Sequence, residues 1–101
     1  MVQPIEIVRT DEVHHGSYRA TLPGIDRAAE LTWVARGPAR IASHTFVPPE
    51  MRGKGIAQQL VEALIADARA QGFTIDPQCS YVEAQFRRHP EWADLLAELP
   101  S

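Results

Sequence analysis

Val47-Pro48-Pro49-Glu50-Met51-Arg52-Gly53-Lys54-Gly55-Ile56-Ala57 is an apolar extended segment that runs into a glycine-punctuated basic loop and opens directly onto an amphipathic helix. Parts in this order make a cradle for phosphate. The first turn of a helix carries backbone N–H groups without internal partners, and the macrodipole adds partial positive charge there, so an anion is favoured. Gly53 and Gly55 have no Cβ, so the loop can take positive φ and bring its amides close to oxygen atoms. Arg52 and Lys54 add charge at the rim.

Downstream, Ile56, Ala57, Leu60, Val61, Leu64, Ile65 and Ala68 recur on one stripe while Gln58, Gln59, Glu62 and Arg69 fall outside it. That spacing predicts a helix over residues 55–71 closed by Gly72. Residues 73–75 predict a short strand, prolonged by the extended bias that Pro77 imposes on Asp76. The strand-helix-strand unit over residues 43–75 implies a right-handed crossover between strands that are parallel or near neighbours in one sheet. Ser80-Tyr81-Val82-Glu83 reads as a capping box that starts a short helix reaching about His89. Pro90 begins another helical turn, whose Trp92, Leu95, Leu96 and Leu99 are expected to pack back on the sheet.

Upstream, residues 5–8, 17–22, 29–35 and 40–47 predict strands. They are separated by a polar break at 11–16, by Pro23-Gly24 with the signature of a type II turn, and by Gly37-Pro38. The first half is thus an antiparallel meander. Together these elements define an α/β fold: a mixed, mostly antiparallel sheet of about five strands, one long helix packed on it, and short C-terminal helices.

A chain of 101 residues with 45% apolar content fits one domain over residues 1–101. Its net charge of −3 offers no electrostatic footprint for nucleic acid or an anionic membrane, so any anion site must be local. No stretch approaches the ~20 apolar residues of a membrane span, and Met1-Val2-Gln3-Pro4 lacks the regions of a signal peptide, so the expected location is the cytoplasm. The single cysteine, Cys79, excludes an internal disulfide and a cysteine-based zinc site. The histidines fall at His14-His15, His44 and His89 without metal-ligand spacing, and no metal is expected. His14-His15 reads as part of a solvated loop, and Trp33 and Trp92 as core residues.

The pattern Arg52-x-x-Gly55-x-Ala57, preceded by Val47 and Pro49, resembles the acetyl-CoA-binding motif (Gln/Arg)-x-x-Gly-x-(Gly/Ala) of the GNAT superfamily of N-acetyltransferases. Residues 29–95 are similar, more narrowly, to the small single-domain GNAT-like proteins. The phrases that carry this are Ala29-Glu30-Leu31-Thr32-Trp33, His44-Thr45-Phe46-Val47 leading into the loop, Pro77-Gln78-Cys79-Ser80-Tyr81-Val82 and Arg88-His89-Pro90-Glu91-Trp92. The resemblance implies a reduced GNAT-like fold, without the early helices and final strands that shape the acceptor pocket of larger enzymes. It implies that Arg52, Gly53, Lys54, Gly55, Ile56 and Ala57 hold the pyrophosphate of CoA, and that Phe46 and Val47 pair their backbone with the pantetheine arm. The implied activity is acetyl transfer to an amine acceptor of unspecified kind. The alternative is a CoA- or acyl-CoA-binding module without turnover, which the missing acceptor walls favour.

Larger GNAT enzymes often use a tyrosine on the helix after the last core strand to protonate the departing thiolate. With Cys79 in the place of an asparagine that precedes it, the tyrosine position falls on Phe86, which has no proton to give. Attention moves to Cys79, which the resemblance places near the acetyl end of CoA. A helix N-terminus favours its thiolate, so it can take the acetyl group transiently, or it can be an inert thiol packed as a small apolar residue. His44, on the strand entering the loop, can deprotonate an incoming ammonium group directly or through water, with a backbone amide near Val47 on the oxyanion; otherwise it is a half-buried histidine bonded to backbone. Simple alternation sets His44 with Ala42 and Phe46, opposite Ser43 and Thr45, and a bulge there would reverse the side it presents. Arg87 and Arg88 can reach the 3′-phosphate of CoA or merely cover a solvated helix face. A homodimer would complete a truncated acceptor pocket. A nucleotide- or nucleic-acid-binding role is disfavoured, since the loop lacks the Gly-Lys-Ser/Thr ending of a nucleotide P-loop.

Overall fold

The computed structural model describes residues 5–97. Its strands are β1 (Ile7–Asp11), β2 (His15–Ala20), β3 (Ala29–Arg36), β4 (Ala39–Phe46) and β5 (Thr74–Pro77). Helix α1 (Ile56–Gln71) lies between β4 and β5, and α2 (Ser80–Arg88) follows β5. Short 3-10 turns occupy Pro49–Met51 and Pro90–Leu95. The sheet order is β1-β2-β3-β4-β5, with antiparallel neighbours through β4 and a parallel β4/β5 pair bridged by α1. This is the mixed, mostly antiparallel five-stranded sheet that the sequence predicts.

Alternation in β3 sets Ala29, Leu31 and Trp33 into the core, where β3 and β2 meet α1, and turns Glu30, Thr32 and Val34 the other way. From α1, Leu60, Val61 and Leu64 are fully buried against that face, joined by Ile75 of β5, Val82 and Phe86 of α2, and Trp92. Both tryptophans are therefore core residues, as expected. The buried Tyr18 hydroxyl donates to Asp67 of α1 at 2.8 Å, and Arg9 donates to the same carboxylate oxygen at 2.8 Å. Burial and the bond to Asp67 push the Tyr18 phenol far above its ordinary range. The helix is closed by Gly72, whose φ of 81° permits its N–H to reach Ala68 O.

Several boundaries differ from expectation for identifiable reasons. The first strand is centred later than residues 5–8, because Arg9 finds Asp67 and the chain pairs down to Asp11 opposite Gly16. The polar break shrinks to a tight connection; His15 joins β2, while both His14 and His15 remain exposed. Gly24 takes φ 80° and Ile25 N–H donates to Leu22 O, as a type II turn requires, but the whole connection spans residues 21–28. Leu96 is 41% exposed instead of packing back: the helical turn ends at Leu95, and the backbone of Leu96 extends to bridge Ile75. Leu99 lies outside the described residues.

Gly16 has a packing reason to be glycine. It pairs with Trp33 across the sheet, and a Cβ there would collide with the Thr10 backbone oxygen and the Trp33 indole. Neither neighbour is a flexible chain end. Gly16→Ala is expected to cost about 1–3 kcal/mol of stability, read as a lowered urea midpoint at unchanged slope.

Candidate coenzyme site

After β4, Pro48 and Pro49 turn the chain into the 3-10 segment, and Met51, fully buried, pins the loop to the core. Gly53 and Gly55 then take φ of 79° and 72°, the left-handed region that favours glycine. Gly55 is the N-cap of α1 and supplies no side-chain cap. The leading amides of the helix therefore lack the partner that a serine or aspartate cap would give. They border a cleft of about 230 Å³ lined by Arg52, Gly53, Gly55, Ile56 and Ala57, with Val47 and Met51 beneath and Tyr81 of α2 across it.

The charges around this cleft are unusual. Most of the cationic side chains are paired with carboxylates, including Arg87 with Glu83 at 3.1 Å. Arg52, Lys54 and Arg88 have no carboxylate partner among the described residues. Two belong to the loop, and Arg88 acts electrostatically on Tyr81 at the opposite wall. Burial raises the Tyr81 phenol above its ordinary value, Arg88 opposes this and Glu62 adds to it. Of the residues assigned to coenzyme binding from sequence, Lys54 in the loop and Phe46 at the end of β4 do not line the cleft. The Phe46 ring is 37% exposed with Arg27 over it at 5.7 Å.

Beyond the cleft, β4 and β5 part company. Their pairing ends at Ala42 opposite Pro77, and Cys79 N–H closes it by donating to Ala42 O at 2.8 Å. Past this point residues 43–46 pair with β3 on one side only, among the described residues, which leaves a strand edge free to receive an extended chain. A bulge beside Thr32 and Trp33 shifts the register, so that Ala42 faces Trp33 and Thr45 faces Leu31. Thr45 thereby joins the core side of β4, while Ser43 and His44 are exposed.

Cys79 is the N-cap of α2. The expected capping box is displaced by one residue: Ser80 is the first helical residue, Glu83 N–H donates to Cys79 O at 2.9 Å, and the Glu83 carboxylate turns to Arg87. The bond from Cys79 to Ala42 fixes this register, because it keeps Cys79 extended at the end of the strand path. Its Sγ–H donates to Thr45 Oγ1 at 3.3 Å. Burial pushes the Cys79 thiol up, but the Thr45 hydroxyl and the backbone amides of Val82, Tyr81 and Thr45 outweigh it, so its pKa is lowered. Cys79 and His44 are not brought together, since Cys79 meets the Thr45 side chain, which leaves β4 on the face away from His44. Phe86 is buried edge-on against Trp92 at 5.7 Å between centroids, so its position belongs to the core.

Sequence reasoning passed over Thr45 and Tyr81. Tyr81 was legible only as part of a cap, and Thr45 only through a bulge. Among the described residues no helix is long and apolar enough to cross a membrane. No cluster of His, Cys, Asp or Glu that could hold a metal occurs among them.

Residues 17–95 match the family model of the GCN5-related N-acetyl-transferases. The chain belongs to that family. Among solved structures it is similar to the solution structure of a GCN5-like protein from Staphylococcus aureus, described as a candidate N-acetyltransferase, at TM-score 0.71 and 21% identity, over 95% of this chain and 91% of that one. It is also similar to AAC(6')-Iy in complex with the bisubstrate analog CoA-S-monomethyl-acetylneamine, at TM-score 0.53 and 19% identity, over 89% of this chain and 67% of that one. At these identities both likenesses concern the fold.

Proposed function

We propose that the protein binds acetyl-CoA at the loop and α1 start and transfers the acetyl group to an amine. The observation that carries this reading is the meeting, at one cleft, of positive-φ glycines, an uncapped helix start and Arg52, which has no carboxylate partner among the described residues, with Lys54 close by in the same loop. These features suit a diphosphate, and the strand edge over residues 43–46 suits the amide-bearing pantetheine arm. In this reading Arg52, Gly53, Lys54, Gly55, Ile56 and Ala57 hold the phosphates, while Phe46 and Val47 offer backbone to the arm. Arg88 meets the outer 3′-phosphate, and Arg87 stays with Glu83. Arg88→Ala is expected to weaken CoA about tenfold by calorimetry and to leave the affinity for 3′-dephospho-CoA unchanged, as loss of one charge-assisted contact requires.

The thioester supplies an activated acyl carbon. Cys79 attacks that carbon as thiolate, forming its own carbon–sulfur bond as the bond to the coenzyme sulfur breaks; the coenzyme leaves as a thiolate that water protonates. An amine then attacks the acyl-Cys79 carbon, the new amide forms, one amine proton passes to water, and Cys79 is restored as thiolate. The alternative of direct attack uses His44 as base from the exposed face of β4. The lowered thiol pKa and the cap position favour the route through Cys79.

The test follows thiol release from acetyl-CoA across a panel of amines. Release that depends on amine supports the transferase. Tight binding without release above background supports instead a CoA-binding module, a reading favoured by the outer face of β3 and β4, where Val34, Ser43 and His44 stand exposed.

A further inference from the structure

Strand β4 makes one departure from regular geometry, and the departure is fastened. Ser43 Oγ and Thr32 Oγ1 lie 3.0 Å apart, Ser43 Oγ also donates to the Thr32 backbone oxygen at 3.3 Å, and Thr32 Oγ1 donates to His44 O at 3.5 Å. This clasp holds the bulge on the exposed face. Its effect is felt on the other face, where Thr45 instead of His44 occupies the inward position after Ala42. Inward, Thr45 meets Cys79, which the bond to Ala42 O has already fixed at the point where β4 and β5 separate.

We propose that Thr45 is a positioning residue: its hydroxyl holds the Cys79 sulfur at the mouth of the slot between β4 and α2, aimed at an acyl carbon delivered along residues 43–46. The inference rests on the reading of Cys79 as acyl acceptor given above. In the thiol form Cys79 Sγ–H donates to Thr45 Oγ1 at 3.3 Å. In the thiolate form the hydroxyl rotates and becomes the donor, because a threonine hydroxyl can serve in either sense. The same contact therefore orients both forms and strengthens with charge on sulfur.

Burial raises the pKa of the thiol, and the Thr45 hydroxyl together with the backbone amides of Val82, Tyr81 and Thr45 outweighs it. The titratable groups on the surrounding elements are engaged elsewhere or face away. Asp76 of β5 accepts from Arg36 at 2.9 Å and from Gln78 at 3.1 Å; Glu83 of α2 is paired with Arg87; His44 leaves β4 on the exposed face. Tyr81 of α2 carries a phenol whose pKa is raised, so it is neutral where the thiol titrates.

The test is the pH dependence of Cys79 alkylation by iodoacetamide in the native protein, Thr45→Val and Thr45→Ser, with CoA affinity by calorimetry as a check on the loop. A stabilised thiolate has its pKa lowered, so its reactive form persists to lower pH, and removing the stabilising donor must move the profile upward. Thr45→Val is expected to raise the alkylation midpoint by about one pH unit and to slow alkylation at pH 7 about tenfold, while Thr45→Ser stays within about twofold of native and CoA affinity is unchanged in both. Should Thr45→Val not fold, Thr45→Ala takes its place with the same expectation. A midpoint in the folded variant that superimposes on the native one overturns the inference, whatever Cys79 does with acetyl-CoA. A raised midpoint together with a native protein that gains no acetyl mass from acetyl-CoA upholds the hold of Thr45 on the sulfur and overturns the acyl-Cys79 route instead.

Discussion

Gly55→Glu is expected to weaken CoA binding by about a hundredfold or more in calorimetry while the protein remains folded. Two effects act at this position. At φ 72° a glutamate is strained, at a cost on the order of 1–3 kcal/mol that leaves a domain of ordinary stability folded. The added carboxylate also stands at the mouth of the helix, where like charges a few ångströms apart repel by about 4 kcal/mol at a surface-like effective dielectric. Gly55→Asn separates the two, since asparagine tolerates the left-handed region and carries no charge. The asparagine variant is expected to lose no more than about tenfold. An unchanged affinity in folded Gly55→Glu would remove the loop from the coenzyme site and with it the proposed function.

Replacement of Cys79 is expected to have the second large effect. Native protein exposed to acetyl-CoA without acceptor is expected to gain one acetyl group by intact mass, and Cys79→Ser to gain none. With an amine present, Cys79→Ala is expected to lose turnover by roughly a thousandfold, the scale on which removal of a nucleophile from a concerted set of groups is felt. CoA affinity should stay near native, because the phosphate cradle lies on α1 and the thiol at the start of α2. Full turnover in Cys79→Ala would discard the covalent route and return the chemistry to direct attack with His44 as base.

The architecture was legible because its signals are local. Alternation marked β3 and β4, Pro23-Gly24 marked a turn, and Gly55 and Gly72 bracketed a helical stripe that the structure reproduces as Ile56–Gln71. The phosphate loop was legible for the same reason, since it is a contiguous stretch whose parts act together. What escaped depends on partners far along the chain. Strict alternation assigned the wrong face to Thr45, because the Thr32 and Ser43 clasp that makes the bulge joins two strands. The capping pattern pointed to Ser80, but a backbone bond from Cys79 back to Ala42 set the helix start one residue earlier. Nor does any local pattern distinguish Arg88 from Arg9, whose partner Asp67 lies 58 positions away.

Met51, fully buried beneath the loop, has one further consequence. With its thioether seated in the core, and with Tyr18 and Arg9 gripping the distal end of the long helix at Asp67, the amide-bearing bend is preorganised before any ligand arrives. Little conformational entropy is then lost on docking, and association should proceed in a single kinetic phase set by diffusional encounter, with no slow isomerisation following capture.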